Sequence, residues 1–520
     1  MLLDSKPKNN KNNQDDRFSK IPTMASAISK KITSFRENYR KLVDEAAIFF
    51  ESYQDQYKSL KKLKANIKAY QDQIDIIENY RKEKGKLPKI KDQPSTDRYL
   101  RRLSSLQAKL EDDLHTLETA MQHSRNQRYE MLDHLTDQIL DLLDGQRIFS
   151  QLLGTIALSS PSPEDKVRHV RNEKYKPIYI TALTIALFEE ARHHSQFQTP
   201  YIKNRIGKLF QSKEAFSLMA EKGMQAEHSK SLKKPMPAEL KMAYREEVLK
   251  PIAKAALLQS IGSHSPEVNA IFDGDRYRQL DNEERTQLIN TINSKTLDYI
   301  KLGIGIPNMR FDTKEARAKF IKEEKEKVLF MLETLRSLNS PKHELGDLIR
   351  IPMVYSSILL STKEEFDYQQ VYQAYDIIEQ GKTNNQYNNE YVSLFLNMVG
   401  RFPLGSGIYF IQQETGEIER AIVSSLYPAD INEPICKQIT RRQLQFLTQA
   451  EVIVSSNSNL FFKETRHTCH YDVSYFNSRF HNEFTWNATE LWEVQIPAID
   501  FWKKDGSRKY NGVYNKDIFL

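Results

Sequence analysis

The chain has almost no cysteine: among 520 residues only Cys436 and Cys469 occur. Two cysteines build no disulfide framework and no paired-cysteine zinc site, which suits a reducing compartment. A long apolar run is also missing. The longest, Ile178 to Phe188 (IYITALTIALF), falls well short of the roughly 20 residues that span a bilayer. The opening MLLDSKPKNNKNNQDDRFSK places charge where a signal peptide requires an apolar stretch. A soluble, cytoplasmic protein is expected. Charge of one sign is scarce as well. Lys plus Arg number 76 against 69 Asp plus Glu, a net +7. No concentrated basic stripe stands out along the sequence, so nucleic acid is not an expected partner. Nor is there a Gly-rich phosphate loop, a G-x-S-x-G or a CxxC. The familiar kinase, hydrolase and redox motifs are thereby excluded.

What is present is helical patterning. The length predicts two to four domains, and 28% charged with 39% hydrophobic residues fits a mainly α protein. Residues 1–30 read as a polar, disordered tail. From Ile32 through Phe35, Tyr39, Leu42, Ala46, Phe49 and Tyr53 to Ile74 and Ile77, apolar residues recur in alternating steps of three and four. That is a heptad seam. KGKLPKIKDQPSTD interrupts it, and Ser95, Thr96 or Asp97 caps the next helix. The second helix carries Leu103, Leu106, Leu110, Leu117, Leu132, Leu135, Ile139 and Leu142 and ends near Gly145. An antiparallel, coiled-coil-like hairpin over 31–150 is predicted, either packed on itself or used for self-association or a protein partner. SSPSPEDK (159–166) reads as a linker, and residues 165–400 as an all-α domain. From 401 to 520 the chain turns β-rich, with GIYFIQ, RAIVSSLY, PICKQIT, EVIVSS, HYDVSYF and TELWEVQIP as strand candidates.

KAALLQSIGSHSPE (254–267) reads as a buried helix closed by Gly262, with Gln259 and Ser260 breaking its apolar run. It resembles the metal-binding helix of HD-GYP cyclic di-GMP phosphodiesterases, where the family text runs AALLHDIGK. Residues 274–300, 349–361 and 366–411 resemble later family segments in family order. The resemblance covers about 250–440 and implies an HD-like all-α domain. The family's site needs imidazole and carboxylate ligands on several helices, so that a metal-bound hydroxide attacks a phosphodiester. At the His-Asp positions stand Gln259 and Ser260. Met353 stands at the later Asp, and no histidine lies between Leu288 and Lys342. An amide, a hydroxyl and a thioether are poor ligands for a hard divalent ion. The resemblance therefore implies a catalytically inactive regulatory or scaffold protein of bacterial signalling, with no cofactor, that binds a cyclic dinucleotide such as cyclic di-GMP or a protein. The alternatives are a phosphodiesterase with displaced ligands and a structural coiled-coil adaptor.

Other candidates are fewer. Arg401, Arg441 and Arg442 offer guanidinium forks for phosphate or a guanine face. RHTCHYD brings His467, Cys469, His470 and Asp472 together, a weaker candidate metal site on an expected strand. Glu190 and His193 have the Glu-x-x-His spacing of di-iron bundles but no matching second set.

Overall fold

The computed structural model describes residues 24–91, 93–144, 149–159, 167–194, 197–210, 237–363, 365–439, 451–480 and 483–491. The chain divides into two compact units, one taking Asn38–Asp137 with Arg245–Asn339 and the other taking the remaining segments. The helical region expected over 165–400 is thus shared between both units.

The first unit is dominated by α1 (Met24–Lys84) and α2 (Thr96–Asp144), from which it takes residues 38–84 and 96–137. Helix α1 starts seven residues inside the segment read as a disordered tail. Its end is set by Gly85, at φ +65°, whose N–H bonds to the Arg81 carbonyl. Ser95 accepts from the Arg98 amide at the start of α2. The two helices run antiparallel. Tyr99 reaches Gln73 (3.1 Å), Gln107 reaches Gln71 (2.6 Å), Lys64 pairs with Glu118 (2.8 Å) and Arg125 meets the Tyr57 hydroxyl (3.3 Å). The seam between them follows the expected heptads except at Leu106, which is exposed.

Toward their other ends the same helices join a core. Phe49 meets the Tyr299 ring edge-on at 5.4 Å and stacks on Tyr53 at 4.8 Å; Phe50 lies 5.7 Å from Tyr299. Each such buried ring contributes roughly 1.5–3 kcal/mol of apolar transfer. The rest of this unit is a π-helical turn (Arg245–Leu249), a short helix (Lys250–Leu258), a 3-10 turn (Ile261–His264), Pro266–Ile271, Asn282–Asp298 with a π-helical extension (Tyr299–Ile304), and Lys314–Arg336. Asn282–Asp298 starts with a capping box, in which Asp281 and Glu284 satisfy each other's backbone amides.

The second unit packs Phe149–Leu158, Arg168–His194, Pro200–Phe210, Ala238–Tyr244, Glu344–Leu359, Ala374–Thr383 and Asn389–Val399 beside a five-stranded antiparallel sheet. Its strands are β1 (Gly407–Ile411), β2 (Ile418–Val423), β3 (Ile435–Ile439), β4 (Glu451–Ile453) and β5 (Thr485–Trp486), in the order β4-β3-β2-β1-β5. Gly407 pairs with Ile422 and Ile411 with Ile418. The fold is mainly α with a β-containing C-terminal region, as the sequence predicts. HYDVSYF departs from it: Val473–Phe480 is a helix. Asp472 accepts the Tyr475 amide at 2.7 Å, and Phe476 and Phe480, four apart, pack with Ile418 and Leu460. A cap and a three-four spacing outweigh the alternation of Tyr471, Val473 and Tyr475. Of TELWEVQIP only the first residues are described, within a 3-10 turn at Ala488–Leu491.

Candidate functional site

KPIAKAALL (Lys250–Leu258) forms a helix in which every residue is buried, including Lys250 and Lys254, each 6% exposed. Two buried ammoniums would be costly unless paired and hydrogen-bonded. Their partners come from α2 and, for Lys250, also from the preceding turn. Lys254 Nζ lies 2.7 Å from Asp133; Lys250 Nζ lies 3.2 Å from Asp133, 3.1 Å from Asp137 and 2.8 Å from Glu246. Arg245 adds a 2.7 Å contact to Asp137. An i,i+4 pair of acids on one helix thereby meets an i,i+4 pair of lysines on another. Lys254 also sits 4.4 Å over the Tyr129 ring, whose hydroxyl donates to Glu324 at 2.8 Å.

The electrostatics follow from sharing. Burial pushes Asp133 up, but the charges and hydrogen bonds of Lys254 and Lys250 outweigh it and hold the carboxyl below its usual value. Burial lowers Lys250 too, yet Glu246, Asp133 and Asp137 together leave it above the ordinary lysine value. Lys254, which shares its carboxylate with Lys250, is lowered, because burial exceeds what Asp133 restores. This ladder is a clasp between helices.

Beside it, α2 seals the end of the Tyr299–Ile304 turn. Arg128 Nε donates to the Gly303 carbonyl (2.9 Å) and Arg125 to the Leu302 carbonyl (3.3 Å). Asn126 exchanges hydrogen bonds with the Asn308 backbone at 3.0 and 2.9 Å. Terminal carbonyls that the helix itself leaves unbonded are satisfied by these side chains. An open groove of about 590 Å³ lies alongside, lined by Tyr57, His115, Glu118, His123, Arg125 and Asn126.

Gln259 and Ser260 close the lysine-bearing helix. Gln259 is buried, at the C-cap, and its Nε2 donates to the Ser260 hydroxyl at 3.0 Å. Gly262 does not take the left-handed C-cap conformation expected of it; it lies in the 3-10 turn that follows. What it provides is close approach. A Cβ there would stand 2.3 Å from the Ile292 carbonyl oxygen and 2.7 Å from the Thr296 nitrogen, and the Gly262 amide donates to Thr296 Oγ1 at 3.0 Å.

Met353 belongs to the other compact unit, half-buried on Glu344–Leu359. Of the four segments that carry the family resemblance, two fall in each unit. Arg401 is committed within its own unit. It bonds Asp376 at 2.9 and 3.2 Å and Asn432 at 2.9 Å, and lies 4.4 Å over the Tyr375 ring. Arg441 and Arg442 lie outside the described residues. His467 and Cys469 are not on a strand: Lys463–Thr468 is a helical turn and Cys469 its C-cap, with the thiol against the Arg466 carbonyl. His467 and His470 are exposed, and the His470 ring lies tilted against Tyr471 with centroids 4.0 Å apart. Glu190 is buried, with His194 3.9 Å away; the side chain of His193 lies outside the described residues. Among the described residues no three His, Cys, Asp or Glu side chains converge as a metal site would need, and no helix is long and apolar enough to cross a membrane.

The Lys250–Lys254 ladder escaped the sequence reading. The i,i+4 lysines of KPIAK and the i,i+4 aspartates 133 and 137 were its only signal. No family model, curated protein or solved structure matches the chain.

Proposed function

We propose that the chain is a regulatory or scaffold protein that acts by binding and not by catalysis, with the distal part of the α1–α2 hairpin as the element it presents. The burial pattern of that hairpin carries the reading. Along the seam, Leu60, Leu63, Ile67, Tyr70 and Ile74 are half-buried, as are Leu110, Leu114 and Leu117 on α2; Ile77 and Leu103 are buried. The residues flanking the seam are exposed on both helices. Seam burial of this kind holds two helices together and leaves their remaining faces to solvent. Long exposed helical surface on a packed base is what a spacer or docking arm requires.

The HD-GYP-like descent of residues 250–440 belongs to this proposal as its narrower part. Within it, Gln259 and Ser260, which bond each other where the resemblance aligns His-Asp, support binding without catalysis. The test is metal analysis of protein purified with iron and manganese supplied, together with cyclic di-GMP turnover. Substoichiometric metal and no hydrolysis are expected. Two equivalents of metal with turnover would overturn the reading in favour of a phosphodiesterase, and tight cyclic di-GMP binding without turnover would narrow it to a sensor.

A further inference from the structure

The hairpin tip carries a local basic cluster that the near-neutral balance of the whole chain conceals. Residues 79–102 hold nine Lys and Arg against three Asp and Glu, a net +6, while the whole chain carries only +7. Six of these cations, Arg81, Lys82, Lys84, Lys86, Lys89 and Lys91, come from the end of α1 and the connecting loop; Arg98, Arg101 and Arg102 come from the first turns of α2. All nine are exposed. Arg101 meets Asp97 at 2.8 Å in an exposed i,i+4 pair, a weak neutraliser in water. The loop is also shaped. Gly85 turns the chain at φ +65°, Thr96 Oγ1 donates to the Pro88 carbonyl at 2.6 Å, and the Gln93 amide to the Ile90 carbonyl at 3.3 Å.

Apolar groups are set among the charges. Leu87, Pro88 and Ile90 alternate with Lys86, Lys89 and Lys91 and are half-buried. Just below, Ile76 is 68% exposed and Tyr80 38%. Cations interleaved with aliphatic side chains match the headgroup zone of an anionic bilayer, which attracts Lys and Arg and accepts apolar groups at the acyl boundary. Nucleic acid would match the charge, and Tyr80 and Tyr99 offer rings, but it gives the aliphatic Leu87 and Ile90 no partner.

We propose that the hairpin tip, residues 81–91 with 93–102, is a peripheral docking surface for an anionic lipid bilayer. This deepens the scaffold reading and rests on it, since it names what the arm engages. Contact of this kind is adsorption to a surface and requires no membrane-spanning segment.

The full chain is tested by co-sedimentation with vesicles of phosphatidylcholine alone and with phosphatidylserine added. Binding is expected only to the serine-lipid vesicles, and it should weaken steeply with salt as the Debye length shrinks from about 10 Å at 0.1 M to about 3 Å at 1 M. The variant K86E/K89E/K91E should lose at least tenfold in affinity. A shaft variant with the same charge change, K61E/K62E/K68E, should lose about threefold or less, because its cations stand away from the tip. Equal binding to neutral vesicles, no binding to anionic ones, or equal loss in both variants would overturn the proposal. Tighter binding to single- or double-stranded nucleic acid than to vesicles, abolished by the tip variant, would overturn it in favour of a nucleic-acid arm. Metal content and cyclic di-GMP turnover are unmoved by the tip variants, so failure here is distinct from failure of the scaffold reading.

Discussion

Replacing Gly262 by alanine puts one methyl group where there is no room. The new Cβ would lie 2.3 Å from the Ile292 carbonyl oxygen, 2.7 Å from the Thr296 nitrogen and 2.9 Å from Thr296 Oγ1. Two of those atoms are backbone in the middle of Asn282–Asp298, so a rotamer change brings no relief. Either the helix or the 3-10 turn must move. Overpacking of this kind costs about 1–3 kcal/mol. The Gly262 to Thr296 hydrogen bond, stretched by the same movement, adds about 1 kcal/mol. A total near 3 kcal/mol in a unit of this size lowers the thermal midpoint by roughly 6–12 °C. Heat denaturation followed by circular dichroism measures the shift. Hydrogen exchange of peptides covering 261–264 and 282–298 locates it, and faster exchange is expected there first. Thr296→Ser keeps the oxygen and the space, and should cost under about 1 kcal/mol. If Gly262→Ala kept the wild-type midpoint and exchange protection, the close packing of turn on helix would be wrong.

The buried ladder and a second lysine supply two more tests. Asp133→Asn removes the carboxylate shared by Lys250 and Lys254 and should cost about 3 kcal/mol, whereas Lys254→Met leaves Asp133 with Lys250 and should cost about 1 kcal/mol; urea titration of each variant decides. Because Asp133 is held below its ordinary 3.8 in the fold, its contribution is present above 3.8 and is lost as pH falls through the folded value, a loss that Asp133→Asn should lack. Lys176, hydrogen-bonded to Thr362 at 3.3 Å, is pushed down by burial to about 8 from 10.5. Its charge therefore opposes folding below pH 8, and stability should rise as pH climbs from about 8 toward 10.5. Lys176→Met should gain about 2 kcal/mol at pH 7, the shift being discounted for partial solvent access, and should lose that rise. Denaturation midpoints measured from pH 7 to 10 would refute this if wild type and variant ran parallel.

Periodicity made much of the fold legible. The three-four spacing from Ile32 to Ile77 predicted the α1 seam, Gly85 marked the end of α1 and Ser95 the start of α2, and four β-branched runs after Phe402 became β1 to β4. The failures have physical causes. In YDVSYF, strand alternation and helical spacing coexist, and only the Asp472 cap discriminates. Gly262 carries the letter of a C-cap, yet its role is set by Ile292 and Thr296, about thirty residues away. Lys254 finds Asp133, and Lys250, beside the local Glu246, finds Asp133 and Asp137, more than a hundred residues upstream and beyond any local pattern. The basic tip is split by a loop, so that no single helix displays it.

The interleaving of the two compact units bears on how the protein is made. Asp137 leaves one unit and Arg245 re-enters it, with the other unit's residues synthesised between. At about 5–20 residues per second, that gap alone lasts roughly 5–20 s on the ribosome. Throughout, Phe49, Phe50 and Tyr53 have emerged, while Tyr299, against which Phe49 and Phe50 close, does not yet exist. The nascent hairpin must therefore wait as an amphipathic intermediate with part of its apolar face uncovered. This is the interval in which a chaperone, or a neighbouring copy, would compete for it.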